Sequence, residues 1–476
     1  MANDNSFAGP LVGSIVTPAA QKMTLSSNYL NFHGSGGKNW SQQYLPELYA
    51  QEVERYGNRT VSSFLRMVGA EMPMASDQVI WSEQGRLHLA YNGEINPVTG
   101  VIDEITGVDS GAAETHAIRV GATVVAVVNN VVFKALVTAV TTDHTGLTIR
   151  PYTAEHVNDL AGIQDTNDQV IKFFVYGSEF AKGTDSMTES VEPNFKSFTN
   201  RPMIIKDHFE ISGSDTAQIG WVEVSGEAGQ AGYLWYLKAE GDTRVRFEDY
   251  LEMTMIEAEK ASGSNVFSSV TNAPEGSEGL LSAIGARGIV ATNQFNASPE
   301  LSEFDDLLKE LDKQGAIEEN MLFLNRDANL VIDDLLAGLN PHVAGGVNYG
   351  VFENSADMAL NLGFTGFRRG SYDFYKTDWK YLNDSTTRGH IGGLKGLLVP
   401  AGTSSVYDQM LGKNVRRPFL HVRYRASEVD DRRMKSWITG SVGGATASGI
   451  DKMEVHYLSE RCLVVQAANN FIRFDS

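Results

Sequence analysis

The chain has 476 residues, room for roughly three folding units at about 150 residues each. Hydrophobic residues make up 42% and charged residues 21%, a globular balance that excludes disordered and fibrous classes. Its 39 Lys and Arg stand against 59 Asp and Glu, a net charge of -20, which disfavours gripping a phosphate backbone. The single cysteine, Cys462, excludes an intramolecular disulfide and a cysteine metal cage.

The opening Met1-Ala2-Asn3-Asp4-Asn5 has neither the basic residues nor the apolar run of an export signal. Residues 1–40 are Gly-, Ser- and Asn-rich and end in His33-Gly34-Ser35-Gly36-Gly37-Lys38, the pattern of an arm and hinge. That glycine cluster does not make a phosphate loop, because Phe32 and Asn39 stand where Gly and Ser or Thr are needed. Tyr44, Leu45, Leu48, Val53 and then Val61, Phe64, Leu65, Val68 have helical spacing, predicting short helices within 41–85.

Between 86 and 153 the pattern turns strand-like: Ala117–Gly121, Thr123–Val128, Val131–Val140 and Leu147–Arg150, with Asn129-Asn130 and Asp143-His144-Thr145-Gly146 as turns. This predicts a small inserted antiparallel β-barrel, the alternative being strands of a parent sheet. The apolar run Ala122–Val140 is interrupted by Asn129, Asn130 and Lys134, so it reads as sheet and no membrane partner is expected. Asp165, Asn167 and Asp168 imitate a calcium loop, but Gln169 and Val170 replace the donor and glycine it requires, leaving a solvated turn.

Residues 165–215 read as a long exposed two-stranded excursion, which needs a neighbour to lie on. Asp242–Ala261 has an N-cap in Asp242, a stripe of Phe247, Tyr250, Leu251, Thr254, Ala258 and Ala261, an acidic back, and Gly263 as the C′ residue. A Gly-spaced loop, Thr271–Gly288, precedes a helix from Ser298-Pro299 to Gly315, a strand Met321–Leu324 and a helix Asp327–Ala337. Further strands are expected at Phe364–Phe367, Tyr372–Tyr375, Leu394–Val399, Phe419–Tyr424, Trp437–Thr439, Met453–Leu458 and Cys462–Gln466, with Phe471–Phe474 packed.

Zinc, acyl-transfer and dinucleotide signatures are absent, so no catalytic, cofactor-binding or metal-binding residue is assigned, no cofactor is expected, and an enzyme is disfavoured. Arg368-Arg369, Arg416-Arg417, Arg423-Tyr424-Arg425 and Arg432-Arg433 suit pairing with carboxylates of neighbouring subunits, or with Glu428, Asp430 and Asp431 nearby. Cys462, in an apolar run, reads as a small core residue.

The segment Ile204-Ile205-Lys206-Asp207-His208-Phe209-Glu210-Ile211-Ser212-Gly213 before the helix at 240–263, Met321-Leu322-Phe323-Leu324-Asn325-Arg326, and Tyr349-Gly350-Val351-Phe352-Glu353 resemble the major capsid proteins of tailed bacteriophages. The resemblance is closest to those of crAss-like and related short-tailed phages, and spans roughly Gln169 to the C-terminus. It implies an α+β Hong Kong 97-type (Johnson) fold: an N-terminal arm at 1–40, an extended E-loop at 165–215, a spine helix at 240–263, and peripheral and axial α/β domains at 264–476. The barrel at 86–153 would be an insertion into that pattern.

The function so implied is self-assembly into hexamers and pentamers of an icosahedral head enclosing double-stranded DNA without reading its sequence. The partners would be the chain itself and head proteins such as portal, scaffolding or decoration proteins, and the location the virion, after assembly in the bacterial cytoplasm. Some relatives cross-link through a Lys, and Lys182 and Lys196 fall in the expected loop without an identified partner. The alternatives are an encapsulin-like compartment shell and a soluble α/β enzyme.

Overall fold

The computed structural model describes residues 70–85, 87–108, 112–184, 190, 195–214, 223–225, 231–233, 235–261, 273–295, 301–315, 317–339, 366–408, 413–441 and 449–476. The expected arm at 1–40, the helices of 44–68, the segment Tyr349-Gly350-Val351-Phe352-Glu353 and the C′ glycine Gly263 lie outside them. Contacts divide the chain into two units, Met1–Arg55 with Ile219–Trp235, and Tyr56–Gln218 with Tyr236–Ser476.

In chain order the described strands begin with β1 (Ala70–Met74) and β2 (Val79–Gln84), where helices had been expected. The sequence Ala70-Glu71-Met72-Pro73-Met74 alternates, burying Met72 and Met74, a period of two that no helix keeps. There follow β3 (Ala90–Ile95), β4 (Val101–Gly107), β5 (Ala122–Val128), β6 (Val131–Val140), β7 (Leu147–Pro151) and β8 (Gln169–Ser178). These six close into a barrel in the order β3-β4-β7-β6-β5-β8. Ile95, Ile102, Val124, Ala126, Val128, Ala135, Val137, Ile149 and Ile171 fill its interior. Asn129 and Asn130 take φ of 47° and 64° in the β5–β6 hairpin, the left-handed pair that a two-residue turn demands.

The barrel therefore runs from 90 to 178 rather than 86 to 153. Strand β8 bridges β3 and β5, burying Ile171 and Phe173, and without it the barrel would stay open. Ala117–Gly121 is not strand: its first three residues are irregular connection, and Val120 and Gly121 form a turn.

The expected excursion at 165–215 is thus divided. Its first part closes the barrel; β9 (Phe195–Asn200) pairs with β2 in register Trp81↔Phe198; and β10 (Met203–Ser212) joins a larger sheet. The two-stranded arm is formed by β2 and β9, with the barrel inserted between them. Of the first unit, the described residues include the hairpin of β11 (Glu223–Ser225) and β12 (Ala231–Tyr233).

Helix α1 (Trp235–Glu257) starts seven residues before Asp242, which is interior to the helix and not its N-cap. Leu237, Lys238, Ala239 and Glu240 are all good helix formers, so no boundary falls at Asp242. Its buried stripe is Thr243, Phe247, Leu251, Met255 and Ile256, while Tyr250 is exposed, and Glu252 on the expected acidic back is buried. Helix α2 (Leu280–Arg287) occupies the expected loop; Leu280, Leu281, Ala283 and Ile284 bury one face of it.

Strand β13 (Ile289–Thr292), α3 (Leu301–Gln314), β14 (Glu319–Leu324), α4 (Arg326–Leu339), β15 (Gly366–Arg369) and β16 (Tyr372–Asp378) follow. Then come α5 (Lys380–Asn383), α6 (Arg388–Ile391), β17 (Leu394–Pro400), the hairpin β18 (Thr403–Asp408) and β19 (Lys413–Pro418), β20 (Leu420–Arg425), β21 (Lys435–Gly440), β22 (Lys452–Val465) and β23 (Ile472–Asp475).

Strand β22 is one 14-residue strand where two were expected. The polar triplet Ser459-Glu460-Arg461 that interrupts its apolar pattern is satisfied internally. Ser459 Oγ and Arg461 Nη2 each donate to the Arg433 carbonyl at 2.7 Å, and Glu460 pairs with Arg432 and Arg425.

One sheet has the order β1-β20-β22-β10, with β21 also on β22. Helix α1 packs on it, the Phe247 ring 5.7 Å from that of Tyr457 and Arg246 Nη2 2.9 Å from the Asp207 carboxylate. The second sheet, β13-β23-β17-β14-β16-β15, mixes parallel and antiparallel pairs. Helices α3 and α4 bury Phe304, Leu311, Ile332 and Leu336 against Leu398, Ile472 and Phe474. The core of Ile256, Ile284, Phe323, Leu397, Leu463 and Phe471 joins α1 and α2 to strands of both sheets. The class is α+β, strand-rich with a closed six-stranded barrel, as the sequence implied.

Candidate functional site

The arm of β2 and β9 is the feature that a self-contained fold explains least. Among the described residues its strands pair only with each other, and a two-stranded ribbon is marginal in water unless something covers it. One side is anchored: Trp81 is buried, with its ring 6.1 Å from that of Phe198. On the other, Ile80 is 63% and Phe195 64% exposed, so two large apolar side chains stand in water on a face otherwise made of Ser82, Gln84, Ser197 and Thr199.

The base of the arm is built more firmly. Asn200 is fully buried; its Nδ2 donates to the Leu463 carbonyl at 2.6 Å and the Glu278 carbonyl at 2.9 Å. Its Oδ1 accepts from Ser277 Oγ at 3.1 Å, the Glu278 amide at 2.9 Å and the Arg201 amide at 2.9 Å. One side chain thereby satisfies backbone from three segments, as a buried amide must. Beside it Arg287, the last residue of α2, lies 4.5 Å from the Phe198 ring centroid and 5.7 Å from that of Trp81, with Nη2 2.8 Å from Glu278. Glu83 Oε1 accepts from Trp81 Nε1 at 2.9 Å and from the Ala467 amide at 3.1 Å. A groove of about 930 Å³ runs alongside, lined by Lys196, Phe198, Arg287, Asp312 and Asn469 among others.

The sequence-derived candidates scatter. Lys196 on β9 is exposed, its Nζ 5.8 Å from the Phe198 ring centroid, and Lys182 lies in an exposed turn. Asp165 Oδ1 accepts from the Asn167 amide at 3.1 Å and Asp168 Oδ1 from Asn96 Nδ2 at 3.0 Å, a self-satisfied turn rather than a cation loop. The glycine cluster at 34–38 lies outside the described residues.

Several of the clustered arginines meet carboxylates of their own chain. Arg369 pairs with Asp305, Arg425 with Asp77 and Glu460, Arg432 with Glu460 and Asp430, Arg433 with Glu71, and Arg368 lies 3.6 Å from Asp373. These guanidinium groups tie strands to carboxylates of the same chain, on strands (Glu71, Asp373, Glu460), on α3 (Asp305) and in turns (Asp77, Asp430). Of the two pairings expected, Arg432 makes the one with nearby Asp430.

Burial pushes the Cys462 thiol up to about 12 and the His421 imidazole down to about 4, both groups being enclosed in the first sheet. Lys376, held by the Asp333 carboxylate and the Asn329 carbonyl beneath α4, is lowered by desolvation against that carboxylate's pull. Among the described residues no group of three or more His, Cys, Asp or Glu is placed to hold a metal, and no helix is long and apolar enough to cross a membrane.

Asn200, Arg287 and Glu278 carried no signal in the sequence. Their importance comes from contacts across 77 to 89 residues of chain, Asn200 to Ser277 and Glu278 and Phe198 to Arg287, which local pattern cannot register.

No family model matches the chain, and no curated protein does. Among solved structures, one from Microbacterium phage Oxtober96 has a TM-score of 0.39 at 10% identity, covering 92% of this chain and 97% of its own. The capsid of the cyanophage P-SCSP1u gives 0.39 at 8%, covering 94% and 96%. The capsid of a native GTA particle gives 0.38 at 11%, covering 91% and 95%.

Proposed function

We propose that the chain is the major capsid protein of a tailed phage, a shell subunit whose work is done by association with copies of itself. The observation that carries this reading is the arm of β2 and β9. It is anchored at its base by Asn200 and Arg287, exposes Ile80 and Phe195, and holds a whole barrel at its far end. Its inner face is held by its own chain, and the outer face with Ile80 and Phe195 is left for a neighbour to cover. Copies packed in a ring supply that neighbour repeatedly through one heterologous contact.

In the terms of the resemblance drawn from the sequence, the arm takes the part of the E-loop and α1 that of the spine helix. The sheet around β22 takes the part of the peripheral domain, and the α/β layer around β14 that of the axial domain. The proposal extends to hexamers and pentamers in an icosahedral head, to DNA enclosed without sequence readout, to other head proteins as partners, and to assembly in the host cytoplasm before residence in the virion. The net charge of -20 supports a wall that does not hold its contents tightly.

The test is expression of the chain followed by electron microscopy of the purified material. Rings, sheets or closed shells are expected; Ile80→Asp and Phe195→Asp together should leave a folded subunit that no longer forms them. A folded wild type that stays a small species at every concentration would sink the proposal.

A further inference from the structure

The sheet path β1-β20-β22-β10 has two end strands, and they are built differently. At one end β1 is five residues long and carries Pro73, which has no amide to offer a further strand. At the other, β10 runs ten residues in unbroken register with β22, from Met203 against Arg461 to Ser212 against Lys452. It holds no proline, glycine or bulge, and Ile204 on it is 54% exposed. Among the described residues no strand pairs with its outer edge. A long, flat, partly apolar edge of this kind is a template for another strand.

The backbone shows which residues face that edge. The His208 amide donates to Asp207 Oδ1 at 2.9 Å, so it is turned away from β22. Orientation alternates along an antiparallel ladder, and Ile204, Lys206, His208, Glu210 and Ser212 therefore turn their backbone groups outward. Their side chains share the sheet face opposite α1, because Asp207 between them meets Arg246 of that helix. On this face Lys206 and Glu210 stand two residues to either side of His208. Lys206 is exposed and without an ion pair among the described residues, and Glu210 lies 2.8 Å from Lys452.

We infer that β10 pairs antiparallel with β10 of a second copy, across a two-fold axis at His208, so that two sheets become one. In this register Lys206 of each copy faces Glu210 of the other, and Ile205 faces Ile211. One strand sequence thus supplies both halves of two ion pairs and two apolar pairs, and this self-complementarity makes the occupant a second copy. Adjacent registers do worse. Centring on Asp207 sets that carboxylate against itself, centring on Lys206 opposes two ammonium groups, and centring on Phe209 leaves Lys206 facing Ser212.

The lysine that guards a lone edge becomes a partner in this one. Glu210 keeps Lys452, since a carboxylate accepts from more than one donor. The His208 amide exchanges the Asp207 oxygen for the facing His208 carbonyl, and Asp207 keeps Arg246. This contact rests on the self-assembly reading and adds an isologous joint to the heterologous one made by the arm.

The test is cysteine cross-linking in the full chain, in which the single native cysteine, Cys462, is buried. Directly opposed, hydrogen-bonded residues lie about 5.5 Å apart at Cα, within disulfide reach. After mild oxidation His208→Cys should run as a linked pair that reduction separates. Lys206→Cys and Glu210→Cys should each stay single, being four residues out of step with themselves, and mixing the two proteins before assembly should link them. Adding Lys206→Glu to His208→Cys should lower the linked fraction by about tenfold, because carboxylates then face each other. Lys206 and His208 are exposed, so their variants should melt with the wild type.

Shells are scored in the same samples by microscopy. Linked pairs without shells reject the capsid reading and support the contact. Shells in which folded His208→Cys never links overturn the contact alone, and neither shells nor links overturns both. Lys206→Cys or Glu210→Cys linking by itself as readily as His208→Cys also overturns the contact, since collision without register gives that result.

Discussion

The guanidinium of Arg287 lies 4.5 Å from the ring centroid of Phe198, fastening the last residue of a buried helix to the returning strand of the arm. Glu278 holds the same guanidinium at 2.8 Å, and both partners are largely buried. Arg287→Ala should cost about 2–4 kcal/mol, because it removes the stacked plane and leaves Glu278 uncompensated. Arg287→Lys should recover only part of that, since an ammonium cannot both stack and present a planar fork. Denaturant unfolding of the three proteins measures the difference.

Asn200 makes five hydrogen bonds from a fully buried amide. Asn200→Asp keeps the shape but turns its donors into acceptors facing the Leu463 and Glu278 carbonyls. We expect a loss of roughly 2–4 kcal/mol, similar to Asn200→Ala, because each strands buried polar groups. A melting temperature within a degree or two of wild type for either variant would show that the arm base is not held this way.

His421 gives a pH dependence. Its folded value of about 4, set first by burial and then by Arg423, lies below the ordinary 6.5. Below pH 6.5 the unfolded chain takes up a proton that the folded one refuses, so stability falls as pH drops toward 4, by about 1.4 kcal/mol per unit for this group. Its Nδ1 lies 3.1 Å from the Pro418 carbonyl and donates to it. His421→Asn retains a donor without the titration. Between pH 6.5 and 4 the variant should lose less stability than the wild type; parallel curves would contradict the assignment.

Asn129 and Asn130 both sit at positive φ in the β5–β6 turn. Asn130→Gly should be neutral or slightly stabilising, and Asn130→Ala should cost about 1 kcal/mol, since alanine lacks the local hydrogen bonding that eases asparagine into this region. Thermal unfolding of the barrel reads both.

What was legible in the sequence was local. Asn129-Asn130 marked its hairpin, the Phe304 and Leu311 spacing marked α3, and the apolar run around Cys462 marked a buried strand. What was missed depended on distant partners. Strand β8 reads as one strand of an exposed excursion until β3 and β5 leave a gap for it. Strand β2 cannot be recognised as half of an arm, because its mate β9 begins more than a hundred residues later. Asp242 has the chemistry of an N-cap, and only the helix-forming residues before it show that the helix has already begun. The arginine pairs carried a charge pattern but no direction, and strand register decides that Arg432 and Arg425 meet Glu460 of their own chain.

The central claim, that exposed apolar surface on the arm is covered by other copies of this chain, is tested most directly by sedimentation of the purified full-length protein across concentration, with the same samples imaged. The account predicts large assemblies in the wild type and folded small species when Ile80 and Phe195 are both replaced by Asp. A folded wild type that remains monomeric throughout, with these side chains in water, would contradict it.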